Sequence, residues 1–292
     1  MSGWACSGES VFLTLIRTVT NVAPMTSDPV TPIFELTVVG GGNMGAALVG
    51  GLLDAGAIAP AAMAVVEVVE ARRAQLSDMF PSITVASSVP ATRAALLAVK
   101  PGDVSAAAAE AGAAGATRVL SIAAGVRLAT IEAAVGPDVA VVRAMPNTPA
   151  LVRLGASAIA AGSAAGDDDV AWAESILSAV GTVERMPEAD LDLFTGVAGS
   201  GPAYVFLVAE ALTDAAVAEG MSRSVAERVI RQLLLGSAAL LDREGDPAVL
   251  RQRVTSPGGT TAAGLAVLDE LDVRGAFGAA VRAATARSRE LG

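Results

Sequence analysis

The chain has 292 residues, enough for about two domains, and 53% of them are hydrophobic although only 3% are aromatic. Its net charge of −10 argues against non-specific nucleic-acid binding, which needs a basic surface. The chain has no histidine and one cysteine, Cys6, which excludes a Ser-His-Asp hydrolase and a disulfide framework, and we expect no metal site.

Residues 1–33 are rich in Ser, Thr, Pro and Gly and show no sustained hydrophobic period, so we predict a flexible N-terminal extension. Met25 precedes the first periodic segment and is a candidate for the biological start. The alternative is a short helix over Val11–Arg17 that packs on the rest of the protein. No basic segment precedes the apolar stretch Val11–Ile16, so we expect no signal peptide.

Residues 34–166 alternate short apolar runs with Ala-rich helical stretches. The runs are almost continuously apolar, which is typical of parallel strands buried on both faces of a sheet. We therefore predict an α/β domain with a doubly wound parallel sheet. The predicted strands are Glu35–Val39, Ala64–Val68, Ile83–Ala86, Ala95–Val99, Val119–Ala123, Val139–Arg143 and an additional edge strand, Ala156–Ala161. The predicted helices are Met44–Ala55, Glu70–Met79, Val104–Ala113 and Leu128–Ala134.

Over residues 167–292 the strand signal largely ends, and we predict an all-helical domain. The segment Tyr204–Ala218 is apolar on more than one face, which is typical of a buried helix. A domain of this size cannot bury so much apolar surface alone, so we predict a homodimer with interlocked helices. The predicted elements are helix Asp167–Val180, a short strand Thr182–Met186, and helices Pro202–Glu219, Ser222–Asp242, Pro247–Val254, Thr261–Leu271 and Val273–Glu290.

Two uncharged runs, Leu36–Leu53 and Leu193–Ala209, are near the lower length limit of a membrane-spanning helix. Glycines interrupt both, so a strand–turn–helix unit and the start of a buried helix explain them better. We expect a cytoplasmic protein with neither a membrane nor a nucleic acid as partner.

The first predicted strand runs directly into Gly40, Gly41, Gly42, Asn43, Met44 and Gly45, which match G-x-G-x-x-G. The first glycine of this motif permits a tight turn, the second lets a pyrophosphate approach the backbone, and the third lets the helix pack on the strand. Because the motif follows a strand and opens a helix, we predict dinucleotide binding. A glycine-rich turn without a ligand is the alternative.

Charged residues at the end of the second predicted strand give conflicting indications of cofactor type. An acidic residue such as Glu67 accepts a hydrogen bond from the ribose 2′-hydroxyl and disfavours a 2′-phosphate. Arg72 and Arg73 follow closely and could pair with that phosphate, or they could form a solvated helix face. NADH and NADPH therefore both remain open.

Lys100 is the single lysine among 20 basic residues and follows the fourth predicted strand. Ligands bind at the carboxyl ends of strands in doubly wound sheets, so Lys100 is a candidate for a ligand contact. Chance retention on a loop is the alternative.

Three further segments stand out: Arg143–Ala150, Gly199–Tyr204 and Val254–Thr261. Together with the glycine turn and Ala98-Val99-Lys100-Pro101, they resemble those of the pyrroline-5-carboxylate reductase family, in order from about Leu36 to Leu291. The Ser-Pro-Gly-Gly-Thr-Thr segment starting at Ser256 is the most diagnostic. The residue pair Glu67 and Val68 departs from the family pattern suited to a 2′-phosphate, and residues 1–33 have no counterpart.

The resemblance implies a Rossmann-type domain, a helical domain that forms an interlocked dimer, and often a ring of dimers. It implies reduction of L-1-pyrroline-5-carboxylate to L-proline with NADPH or NADH. It places Asn147 near the nicotinamide end and Ser256, Gly258, Gly259, Thr260 and Thr261 in the substrate loop. The cofactor residues so predicted are Gly40, Gly41, Gly42, Asn43, Met44, Gly45, Glu67, Ala98, Val99, Lys100, Pro101, Ile122, Ala123 and Ala124.

The turn Ser256–Thr261 suits a small anionic substrate because backbone N–H groups entering a helix bind a carboxylate without a buried cation. For Ser256 alone, a plain helix N-cap is the alternative. Imine reduction needs no strong general acid at the site because the imine can be protonated before it binds. We predict that the Thr261 hydroxyl is the hydrogen-bond partner of the ring nitrogen.

Two other functions remain as alternatives. One is a different two-domain NAD(P)-dependent reductase that acts on larger imines or ketones. The other is a non-enzymatic dinucleotide-sensing dimer, which would bind the cofactor but would not need the anion-binding turn.

Overall fold

A computed structural model describes residues 33–292. Of the predicted N-terminal extension it describes only Ile33. The candidate start at Met25 and the alternative helix Val11–Arg17 lie outside the described residues.

Eight strands form one sheet with the order β3-β2-β1-β4-β5-β6-β7-β8. Neighbouring strands run parallel except β6 and β7, which are antiparallel. The chain returns to the middle of the sheet between β3 and β4, so the order is that of a doubly wound sheet, as predicted. The strands are β1 Leu36–Val39, β2 Met63–Val66, β3 Thr84–Ala86, β4 Ala94–Leu97, β5 Arg118–Ser121, β6 Ala140–Met145, β7 Gly155–Ala161 and β8 Gly181–Arg185.

Helices cover both faces of this sheet and divide its core into two apolar clusters. On one face α1, α2 and α5 pack with side chains such as Leu48, Leu76 and Leu177. On the other face α3 and α4 pack with side chains such as Val104 and Ile131. The five helices are α1 Asn43–Asp54, α2 Glu70–Met79, α3 Val104–Ala113, α4 Leu128–Val135 and α5 Asp167–Ser178.

The sheet continues further along the chain than the sequence pattern indicates. Residues Gly181–Arg185 pair in parallel with β7, and α5 belongs to the first apolar cluster. An all-helical part beginning at residue 167 is therefore not what the structure shows. The strand signal is weak because β8 is a short edge strand whose residues are all at least partly exposed.

The remaining part of the chain is helical and begins with a segment that the sequence analysis missed. Helix α6 spans Leu191–Phe194 and continues into a π-helical turn, Thr195–Gly199. A side chain at Gly196 or Gly199 would strike α11 or Met145, so these glycines permit close packing although they suggest a loop in sequence. The other helices are α7 Gly201–Ala218, α8 Arg223–Glu244, α9 Pro247–Arg253, α10 Thr260–Glu270 and α11 Val273–Leu291.

A partly buried polar network connects this helical part to the sheet. The Glu188 carboxylate accepts hydrogen bonds from the Leu128 N–H at 2.7 Å and from Arg143 Nη1 of β6 at 2.8 Å. Asp192 of α6 is buried and accepts hydrogen bonds from Arg127 Nη2 at 3.2 Å and from the Ser288 hydroxyl of α11 at 2.7 Å. Removing Glu188 or Arg127 would leave a buried charge, Arg143 or Asp192, without its partner, which is destabilising.

The helical part leaves much apolar surface exposed within the described chain. Thr213 is the one buried residue among the 18 residues of α7, where Leu207 is 63% exposed. On α8, Leu235 is 62% exposed. The stretch Glu188–Ala218 is long and apolar enough to cross a membrane by length and composition, and 17% of its most apolar window is buried. Helices in the core of soluble proteins meet the same criterion, so this is weak evidence for a membrane.

Candidate functional site

The glycine turn lies at the carboxyl end of β1. Gly40 has φ +108°, a left-handed conformation that glycine adopts without strain. A Cβ atom at Gly45 would strike the Gly40 carbonyl oxygen, so the start of α1 packs directly on the turn. A Cβ atom at Gly42 would meet no atom within 4 Å. Gly42 therefore borders open space at the N-terminus of α1, where a helix attracts anions.

A cleft of about 400 Å³ opens beside this turn, at the carboxyl ends of β1, β2 and β4. This is the edge and the strand-order reversal at which doubly wound sheets bind ligands. Six residues predicted to bind the cofactor line the cleft: Gly40, Gly42, Glu67, Ala98, Val99 and Lys100. The other lining residues were not among the predicted cofactor residues: Val39, Val66, Val68, Val69 and Asp103.

The other predicted cofactor residues lie near the cleft but do not line it. Gly41, Asn43, Met44 and Gly45 belong to the turn and the start of α1, and Pro101 follows Lys100. Ile122, Ala123 and Ala124 follow β5, the next strand along the sheet, where the first two are buried and Ala124 is exposed.

Glu67, which follows β2, and two arginines of α2 hold the glycine turn. Glu67 Oε2 accepts a hydrogen bond from the Gly41 N–H at 3.2 Å, and Oε1 accepts one from the Val69 N–H at 2.9 Å. Arg72 Nε donates to the Gly41 carbonyl at 2.8 Å. Arg73 Nη1 donates to the carbonyls of Glu67 at 2.9 Å and Val68 at 2.8 Å. Polar contacts to charged side chains thus fix the turn on both sides of Gly41.

Asn147 connects the sheet to the π-helical turn. Its Nδ2 donates to the Ala198 carbonyl at 3.1 Å, and its Oδ1 accepts from the Ala156 N–H at 2.9 Å. It also lines a second, apolar pocket of about 330 Å³. The other residues of that pocket are Pro149, Ala198, Gly201, Pro202, Val205 and Phe206, and π-helical turns often mark functional sites.

The predicted substrate loop precedes α10. Gly258 has φ +69°, whereas Gly259 has φ −80° and is the N-cap of the helix. The Gly259 N–H donates to the Ser256 carbonyl at 3.0 Å, so it closes the turn. The N–H groups of Thr260 and Thr261 open the helix and have no partner along it. A side chain at Gly259 would strike Ser256 Oγ.

The substrate loop and the two pockets are separate features within the described part of the chain. The linings of both pockets come from residues 39–206. Ser256, Gly258, Thr260 and Thr261 are exposed, and Gly259 is partly exposed. In the described part of the chain, the predicted substrate residues therefore lie outside both pockets, apart from Asn147, which lines the second one.

Comparisons with known proteins match both parts of the chain. Residues 188–291 match the family profile described as pyrroline-5-carboxylate reductase dimerisation. Residues 35–125 match the profile described as NADP oxidoreductase coenzyme F420-dependent.

Similar proteins cover nearly the whole described region. The chain is 44% identical over 265 residues to a pyrroline-5-carboxylate reductase of Synechocystis sp., a match that covers 88% of this chain and 98% of that protein. It is similar to a pyrroline-5-carboxylate reductase structure from Coxiella burnetii, with a TM-score of 0.82, 34% identity and 89% and 99% coverage of the two chains. A Plasmodium falciparum pyrroline carboxylate reductase structure with NADP bound gives a TM-score of 0.77, 27% identity and 89% and 98% coverage.

Proposed function

The chain belongs to the pyrroline-5-carboxylate reductase family, and we propose that it reduces L-1-pyrroline-5-carboxylate to L-proline, the last step of proline biosynthesis. The observation that carries this function is the cleft at the reversal of strand order, with open space at Gly42. The similar proteins named pyrroline-5-carboxylate reductase support the choice of substrate.

The cleft fits a nicotinamide dinucleotide, NADH or NADPH, which supplies a hydride when it is bound. Gly40, Gly41 and Gly42 would hold its pyrophosphate, because the turn leaves room for the phosphates and α1 points its N-terminus at them. Ala98, Val99, Lys100 and Pro101 would border it on the β4 side, and Ile122, Ala123 and Ala124 on the β5 side.

The loop before α10 would bind the substrate carboxylate. The N–H groups of Gly258, Thr260 and Thr261 are the donors that this geometry offers. Gly259 has a different role from the one predicted, since its N–H closes the turn on Ser256. The Thr261 hydroxyl would form a hydrogen bond with the ring nitrogen. Asn147 would fix the position of the backbone around the second pocket, which Pro202 also lines.

The chain needs no histidine for this reaction. The cyclic imine can take up a proton from solution before it binds, so the protein has to orient the imine carbon and exclude competing orientations. Holding two reactants in line accounts for a large part of the rate enhancement in such reactions. Thr261 and the N–H groups beside it supply that orientation.

A second copy of this chain would cover the exposed apolar faces of α7 and α8, which gives a homodimer through the helical region. A ring of such dimers and a cytoplasmic location extend this proposal. In the domain organisation that we propose, the sheet and its helices up to β8 bind the dinucleotide, and the helical region from Glu188 onward supplies dimerisation and substrate binding.

The experiment that tests this function is a cofactor-oxidation assay on the purified full-length protein with pyrroline-5-carboxylate. We expect turnover with proline as the product, and kcat/KM values for larger cyclic imines and for ketones at least tenfold lower. A larger imine that is reduced faster would favour the alternative reductase. Binding of the cofactor without turnover of any imine would favour the dinucleotide sensor.

A further inference from the structure

Three charged side chains line the cofactor cleft: Glu67, Lys100 and Asp103. Two of them are acidic and one is basic. Arg72 and Arg73 lie on α2 next to the cleft but do not line it. The wall of the cleft therefore carries more negative than positive charge.

Glu67 is held in place while it keeps capacity for a ligand. Its two oxygens accept one backbone N–H each, from Gly41 and from Val69. An ionised carboxylate has about four acceptor directions, so about two remain. A ribose hydroxyl is a donor that suits such an acceptor, and a hydrogen bond to a charged acceptor is stronger than one between neutral groups.

The two arginines are already bound to the protein backbone. Arg72 Nε holds the Gly41 carbonyl at 2.8 Å and its Nη1 donates to Gln75 Oε1 at 3.0 Å. Arg73 Nη1 holds two carbonyls at the end of β2, those of Glu67 and Val68. Glu67 and Arg72 thus clamp the Gly41 peptide units from the N–H side and from the carbonyl side. These hydrogen bonds hold both guanidinium groups on the turn and at the end of β2, outside the lining of the cleft.

From these contacts, and resting on the proposed function, we infer that this cleft selects the dinucleotide without a 2′-phosphate. Glu67 is the residue that determines this specificity, and Arg72 and Arg73 are positioning residues for the turn and for Glu67. A phosphate monoester carries about −1.5 to −2 charges at neutral pH. It would face Glu67 and Asp103, and Lys100 is the one cation in the cleft wall of the described chain.

The test measures binding without any substrate, so it does not depend on which imine the protein reduces. Dissociation constants of the full-length protein for NADH and NADPH are measured by fluorescence titration. The same titration is repeated in competition with AMP and with adenosine 2′,5′-bisphosphate. We expect NADH to bind at least tenfold more tightly than NADPH, and AMP more tightly than the bisphosphate. Equal binding, tighter NADPH binding, or no binding of either dinucleotide would overturn the inference.

Substitutions separate the role of the carboxylate from the role of the arginines. Glu67→Gln removes the charge at nearly constant shape and is expected to lower the NADPH/NADH ratio of dissociation constants at least fivefold. Glu70→Gln is the matched control, because Glu70 lies in the first turn of α2 outside the cleft wall, and it should leave the ratio unchanged. An unchanged ratio in Glu67→Gln would overturn the assignment of specificity to this residue.

Arg72→Met and Arg73→Met test the positioning role. If the arginines hold the turn, both variants should weaken the binding of NADH and of NADPH by the same factor. The ratio of the two dissociation constants should stay within twofold of wild type. If they bind phosphate, the variants should lose NADPH affinity and keep NADH affinity. That second outcome would overturn the positioning role and would show that the two arginines bind the 2′-phosphate.

Discussion

The sheet region of this chain buries its own apolar side chains, whereas the helical region leaves many of its own exposed. Six of the 12 residues of α1 are buried, and Leu120 in β5 is fully buried. In contrast, α7 and α8 expose large side chains such as Phe206, Leu207 and Leu235. The sheet region therefore completes its core within one chain, whereas the helical region requires a partner surface to cover its apolar side chains.

A charge placed on the exposed face of α8 should have the largest effect. Leu235→Asp should convert the assembly to single chains, because a carboxylate cannot enter an apolar interface without a partner. Sedimentation velocity measures the mass, and cofactor titration shows whether the sheet region is intact. Met79→Asp, at the exposed end of α2, is the control that should leave the mass unchanged. A Leu235→Asp variant with wild-type mass would contradict the proposed interface.

In the sheet region, the corresponding experiment shortens a fully buried side chain. Leu120→Ala should lower the free energy of unfolding by about 2–5 kcal/mol, because it leaves a cavity in a closely packed core. Urea denaturation followed by circular dichroism measures the change. Leu154→Ala, an exposed leucine before β7, is the control with an expected change below about 0.5 kcal/mol. Similar losses in both variants would mean that the core extends beyond one chain.

Two glycines of the cofactor turn have different surroundings, so substitutions at them should have different effects. Gly42→Val places a side chain into open space and should weaken dinucleotide binding by roughly 100-fold, with little change in stability. Gly45→Val would strike the Gly40 carbonyl and should destabilise the fold itself. Fluorescence titration and thermal unfolding separate the two effects. Unchanged cofactor affinity in Gly42→Val would assign the turn a purely structural role.

The smallest expected effect is at the substrate loop of the helical region. Thr261→Ala removes one hydrogen bond, which costs about 0.5–1.5 kcal/mol for a neutral partner and up to ~3 for a charged one. This corresponds to roughly 2- to 150-fold in kcat/KM for the imine, with cofactor affinity unchanged. Thr130→Ala on the exposed face of α4 is the control. A wild-type kcat/KM in Thr261→Ala would contradict this site, and we would then assign the anion site to the loop after β6.

The sheet was predictable because buried parallel strands have a strong and simple pattern. Continuous apolar runs such as Val119–Ala123 and the glycine turn at Gly40 identified β1 to β7 within a few residues. The edge strand β8 was missed as part of the sheet because its exposed residues weaken that pattern. Helix α6 and its π-helical turn were missed because Gly196 and Gly199 read as a loop, although they permit contact with α11 and Met145.

At the site, residues near a motif were easier to predict than residues that depend on three-dimensional proximity. Glu67 and Lys100 follow strands and were found by that rule. Val68 and Val69 follow the same strand as Glu67 and could have been found in the same way, whereas Asp103 ends a short helical turn after Lys100. The pocket that Asn147 shares with Val205 and Phe206 could not, because it joins segments about 50 residues apart in sequence.

The network around Glu188 and Asp192 constrains where chimeras of related enzymes can be joined. Both acids lie beyond the last strand, yet their partners Arg143 and Arg127 belong to the sheet region. A chimera joined directly after β8 would separate these acids from the arginines to which they are matched. A junction in the turn between Thr195 and Gly199 would keep the four residues from one parent. Ser288, which donates to Asp192, and the α11 residues that pack on Gly196 would have to be transplanted with them.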